Sequence, residues 1–114
     1  MVVELKIQYV SQGSCHFGAL VNVSLDGCVI KGRAKAEIGE VLFLSFEKGI
    51  PLGGFKGKVI GQTFQQECWT MGMYFMDLDQ DEKMMLFDRI TYFSFLQEKL
   101  RKKMEENVLE KSGH

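Results

Sequence analysis

Arginine is scarce in this chain. Only Arg33, Arg89 and Arg101 occur, and 14 basic residues stand against 15 acidic ones for a formal net charge of −1. That balance gives no electrostatic basis for gripping duplex DNA, RNA or an anionic membrane surface. Histidine is limited to His16 and His114, and the cysteines, Cys15, Cys28 and Cys68, are odd in number, widely spaced and without a C-x-x-C pair. A structural zinc site and a disulfide framework are therefore not expected, and reduced, buried cysteines are. No long apolar run opens the chain: "MVVELKIQYV" carries Glu4 and Lys6 among its apolar residues. It is neither a signal peptide nor a membrane span, so a soluble, cytoplasmic protein with no membrane insertion is expected. The one proline, Pro51, lies in "EKGIPLGG", which reads as a loop.

Signatures of catalysis are missing as well. The sequence has no G-x-S-x-G, Walker loop, G-x-G-x-x-G or H-E-x-x-H. Cys15 and His16 are neighbours, but adjacent residues of a strand point to opposite faces and cannot act as a nucleophile–base pair. Asp77, Asp79, Asp81 and Glu82 cluster where a helix should begin, and capping and the helix dipole explain them. No catalytic residue, metal ligand or cofactor is predicted.

What is present is an ordinary globular composition, 46% hydrophobic and 25% charged over 114 residues, enough for one domain spanning residues 1–114. "VVELKIQYV" alternates, with Val3, Leu5, Ile7 and Tyr9 on one face and Glu4, Lys6 and Gln8 on the other. "SQGS" turns the chain into "HFGALVNVS", with Phe17, Ala19, Val21 and Val23 expected on one face. "CVIKG" follows, then a turn around Gly39. "VLFLSF" is so continuously apolar that a strand covered on both sides is expected. "FKGKVIGQTF" is a glycine-rich strand expected to bend, and "CWTMGMYFMDL" is the last strand, ending at Asp77-Leu78. Short strands with turns every eight to twelve residues predict a small barrel or sandwich over about residues 2–78.

The period then changes. Asp79 followed by Glu82 reads as a capping box, and a helix free of Pro and Gly is predicted over about 80–110, its last residues fraying. Leu86, Ile90, Phe93, Gln97, Leu100 and Met104 fall at heptad spacing. Met84, Met85, Phe87, Tyr92, Phe95 and Leu96 add more apolar surface than one stripe requires. Either the barrel wraps more of the helix or a partner covers it, and Leu86, Ile90, Phe93 and Leu100 are the candidates for self-association or docking.

Between the second and third strands lies "NVSLDG". Read alone, Asn22 and Ser24 would close a turn through side-chain to backbone hydrogen bonds, with Gly27 supplying a positive φ. Two further stretches fall in order after it: Gly39-Glu40-Val41-Leu42-Phe43-Leu44, and Gly72-Met73-Tyr74-Phe75-Met76-Asp77-Leu78. Together, Asn22-x-Ser24-x-x-Gly27, the "G-x-x-h-x-L" strand and the "G-h-x-F-x-x-L" strand feeding a helix resemble the PilZ domain over roughly residues 2–95.

The resemblance implies a mainly β fold, a small six-stranded antiparallel β-barrel followed by a C-terminal α-helix, in a bacterial signalling protein that is not an enzyme. It implies cyclic di-GMP as the ligand, with Asn22 and Ser24 bonding a guanine edge and Gly27 admitting the base. The family's other half-site, R-x-x-x-R before the first strand, has no counterpart here, and the leading Met1 argues against one further upstream. Each lost charge-assisted contact is worth about 1.5–3 kcal/mol, so two together weaken binding about a hundredfold to ten-thousandfold. A divergent module acting through protein contacts, or through a homo-oligomer formed by its helix, is the reading favoured. The alternative is a true cyclic di-GMP receptor in which Lys6, Lys31 and Arg33 contact the phosphates.

Overall fold

A computed structural model describes residues 1–47 and 53–112, with side chains described as far as residue 106. Pro51 and the loop assigned around it lie outside the described residues, as do Gly113 and His114. Six strands, β1 (Val2–Ser11), β2 (Ser14–Val23), β3 (Gly27–Gly32), β4 (Val41–Phe46), β5 (Phe55–Gln65) and β6 (Cys68–Met76), precede one helix, α1 (Gln80–Ser112). All neighbours are antiparallel, and the order β1-β2-β3-β6-β5-β4 closes on itself as a barrel.

The alternation of β1 does what its period demands: Val3, Leu5, Ile7 and Tyr9 are all buried. β2 departs from expectation. Leu20 and Val23 point inward while Phe17 is 79% exposed. The register against β3 steps between Leu20 and Asn22, leaving Val21 as an extra residue. This bulge flips the alternation, which is why the face assigned to Phe17, Ala19, Val21 and Val23 is wrong for all but Val23.

β4 is corrected too. Leu42, Leu44 and Phe46 enter the core, but Val41 and Phe43 stay exposed, so nothing among the described residues covers the outer face. β5 bends as expected, through a register step between Val59 and Gly61. The β1–β2 turn has two residues, Gln12 and Gly13, both at positive φ, a geometry whose twist suits a two-residue hairpin. Gly39, at φ 92, turns the chain into β4.

α1 begins with the reciprocal bonds of a capping box. The Glu82 N–H donates to Asp79 Oδ1 at 2.8 Å, and the Asp79 N–H donates to Glu82 Oε1 at 3.2 Å. Ile90, 0% exposed, joins the barrel core, and Leu86, Phe87 and Phe93 pack against it. The barrel thus takes up three of the four residues assigned to self-association, Leu86, Ile90 and Phe93, and Leu100 alone remains open. Full burial of Ile90 contributes about 1.5–3 kcal/mol, and the partly buried Leu86 and Phe93 add less. Met84, Met85, Tyr92 and Phe95 face away and are exposed.

Candidate functional site

The bulge in β2 sets the geometry of the polar turn. It aims Val23 into the core and leaves Asn22 half-buried at the barrel rim. Asn22 Oδ1 accepts a hydrogen bond from the Met1 nitrogen at 3.2 Å. The same nitrogen donates to the Val23 carbonyl at 2.7 Å, and the Val23 N–H donates to the Met1 carbonyl at 2.9 Å. Met1 therefore adds a rung to the sheet beside Asn22.

Ser24 closes the turn upon Gly27. Its N–H donates to the Gly27 carbonyl at 2.9 Å and its Oγ donates to the same oxygen at 3.3 Å. Gly27 is buried, pairs with Tyr74 of β6, and is not among the glycines at positive φ, contrary to the turn-based expectation. The need for glycine here is steric: a Cβ at this position would overlap the backbone carbonyl of Met73. β3 and β6 approach too closely for any side chain.

The turn is also fastened on its far side. The Phe75 N–H donates to the Asp26 carbonyl at 2.9 Å, and Asp26 Oδ1 lies 3.4 Å from Lys83 Nζ in the first turn of α1. Neither Asp26 nor Lys83 was singled out from the sequence as a contact. Asp26 sits inside the motif, but nothing local in "DEKMM" marks Lys83 as its mate.

The three candidate cations lie elsewhere. Lys6 is opposite Ala19, and Ala19 is opposite Lys31, so the two lysines flank β2 in one row on the outer face. That row is three residues from Asn22 along the strand, about 10 Å. Arg33 is two residues further from the turn and lines a shallow cleft of about 750 Å³ with Cys15, Phe17, Lys31 and Cys68. Among the described residues, neither Lys31 nor Arg33 has a carboxylate within ion-pair distance. Lys6 lines a second cleft, about 890 Å³, between β1 and α1, where Glu4, Glu47, Glu98 and Arg101 also face. Glu98 binds Arg101 at 2.7 Å, and this hydrogen bond raises the Arg101 pKa above its usual value.

Cys28 shows how little nucleophilic chemistry the interior offers. Burial pushes its thiol up to about 12, so it stays protonated at neutral pH. His16 is half-buried, its ring 5.5 Å from that of Tyr9, while Cys15 is exposed on the opposite face. No group of three or more metal-ligating side chains forms among the described residues. No described helix is long and apolar enough to cross a membrane.

The chain is thus a closed six-stranded antiparallel barrel with an Asn-x-Ser-x-x-Gly turn at its rim, followed by one C-terminal helix. The family model for the PilZ domain matches residues 1–92, and the chain belongs to that family, whose domains serve cyclic di-GMP signalling. No curated protein matches the chain.

Proposed function

We propose that this chain is a non-enzymatic PilZ-type module that acts in cyclic di-GMP signalling through contacts with protein rather than by gripping the dinucleotide at its Asn-x-Ser-x-x-Gly turn. The observation that carries this reading is how the motif's groups are engaged. Ser24 is bonded to the Gly27 carbonyl, Gly27 is pressed against the Met73 backbone, and Asn22 accepts from the Met1 nitrogen. Hydrogen-bonding groups on a rim, with no paired guanidinium forks beside them among the described residues, make a poor clamp for a ligand carrying two phosphates.

Calorimetric titration with cyclic di-GMP, run beside the Ser24→Ala variant, tests this. The expected result is no saturable heat in the low-micromolar range for either protein. Saturable low-micromolar binding that Ser24→Ala abolishes would overturn it.

A second reading, a receptor that holds the phosphates by a different route, draws support from Lys31 and Arg33, which have no carboxylate partner among the described residues and lie beside the exposed ring of Phe17. Its signature would be binding lost in Lys31→Ala or Arg33→Ala and weakened in Lys6→Ala.

A further inference from the structure

α1 carries a second stripe that its docking on the barrel leaves untouched. Met85, Asp88, Tyr92, Phe95, Lys99 and Lys102 follow one another at spacings of three, four, three, four and three, and Asp81 and Glu106 extend the series by four at either end. All eight are exposed, Tyr92 by 58% and Phe95 by 62%. Ile90, which is fully buried in the barrel core, stands about half a turn round the helix from Tyr92. The barrel therefore lies behind the helix when the stripe faces forward. Leu100 and Met104 fall more than a quarter turn away and are no part of it.

The order of charges along the stripe identifies its occupant. Asp88 lies on the N-terminal side of the two aromatic rings, and Lys99 and Lys102 on the C-terminal side. Among the described residues neither Asp88 nor Lys99 has an ion-pair partner, and Lys99 stands three and four residues from Lys102 and Lys103, like charges that repel. Two copies packed in parallel would set Asp88 on Asp88 and Lys99 on Lys99. Packed antiparallel about a two-fold axis midway between Tyr92 and Phe95, the same stripe sets Tyr92 on Phe95, Asp88 on Lys99 and Met85 on Lys102, each layer occurring twice. The aliphatic stem of Lys102 covers Met85. Only the outermost layer, Asp81 with Glu106, pairs like charges, and it lies at the open ends where water and salt screen it. Because each barrel sits behind its own helix, neither stands between the two.

We propose that a second copy of this chain packs antiparallel along this stripe of α1, with Tyr92 and Phe95 at its centre and an Asp88–Lys99 ion pair on either side. The overlap from Asp81 to Glu106 is about 38 Å long. A single helix pair with charged residues in most of its layers falls at the low end of specific interfaces, so the dimer is concentration-dependent, with a dissociation constant of roughly 10–100 μM. This goes beyond the functional reading above and is independent of it, since the nucleotide titration and the assembly state are read separately.

Sedimentation velocity of the full chain, from low micromolar to several hundred micromolar, tests the proposal. A shift from monomer to dimer is expected. Phe95→Glu should raise the dissociation constant roughly tenfold or more, whereas Leu100→Glu, off the stripe, should leave it unchanged. The melting of both variants, followed by circular dichroism at a concentration where the chain is monomeric, should match that of the parent. Asp88→Lys and Lys99→Glu should each weaken the dimer about fivefold, because each turns two attractive layers into repulsive ones. Mixing those two variants should restore pairing between them. A monomer at every concentration, a dimer untouched by Phe95→Glu or broken by Leu100→Glu, or one that either charge reversal leaves alone or strengthens would each overturn the antiparallel pairing.

Discussion

The hydroxyl of Tyr9 donates to the Ala34 carbonyl at 2.8 Å and accepts from the Ala34 N–H at 3.2 Å, inside a cradle formed by Gly18 and Gly32. A Cβ at Gly32 would overlap that hydroxyl. Gly32→Ala should therefore destabilise the protein by about 2–4 kcal/mol, and Tyr9→Phe by about 1–3 kcal/mol through the unpaired Ala34 groups. In the Tyr9→Phe background the alanine should cost less but still destabilise, because the oxygen has gone while the ring carbons stay too close, at 2.8 Å. Urea unfolding of the four proteins checks this, and equal costs in both backgrounds would contradict the steric account. Cys28 makes a separate demand at this scale. Its thiol is pushed from 9.0 up to about 12 by burial, and burial raises Tyr9 in the same direction. The native state keeps these protons where the unfolded chain has released them. The Cys28 contribution is complete below about pH 9 and is lost on going toward pH 12, by about 1.4 kcal/mol per pH unit, and the Tyr9 contribution declines in the same direction above its ordinary value of 10.0. Cys28→Ala should flatten that alkaline decline in a series of denaturation curves.

Among the elements, the β5–β6 connection carries strain. Gln66 and Glu67 form its two residues, at φ 53 and φ 64, where the left-handed backbone favours glycine or asparagine. Glu67→Gly should raise stability by about 1 kcal/mol, seen as a higher melting temperature, whereas Gly13→Ala in the β1–β2 turn, at φ 79, should lower it. The elements also differ in how far the sequence reveals them. β1 and the start of α1 are legible because their signals are local: strict alternation in one, an Asp and a Glu three residues apart in the other. β2 is not, because its bulge is fixed by pairing with β3, and no residue near Val21 announces it. β4 misleads for a related reason. Its unbroken apolar run suggests two covered faces, yet Val41 and Phe43 look outward, and only the surrounding packing decides that.

At the level of the whole molecule, the barrel and its terminal helix could be read from three short stretches in a fixed order, since their spacing reflects the strand order that closes the sheet. The state of the site could not. Gly27 looks like a residue that admits a ligand, but the atom that forbids a side chain there belongs to Met73, on a strand that meets β3 only in the folded barrel. Asp26 likewise meets Lys83 only after β6 has delivered the chain to the foot of the helix. That last contact has a mechanical consequence. The rim turn is tied through Asp26 to both the end of β6 and the base of α1, and the helix stands on a short joint where Asp77 is at φ 60. Ile90 and Phe93 then seat the helix on the core, so that the turn, the last strand and the helix foot are held as one unit, and α1 runs on about 20 Å from Phe93 to Glu106.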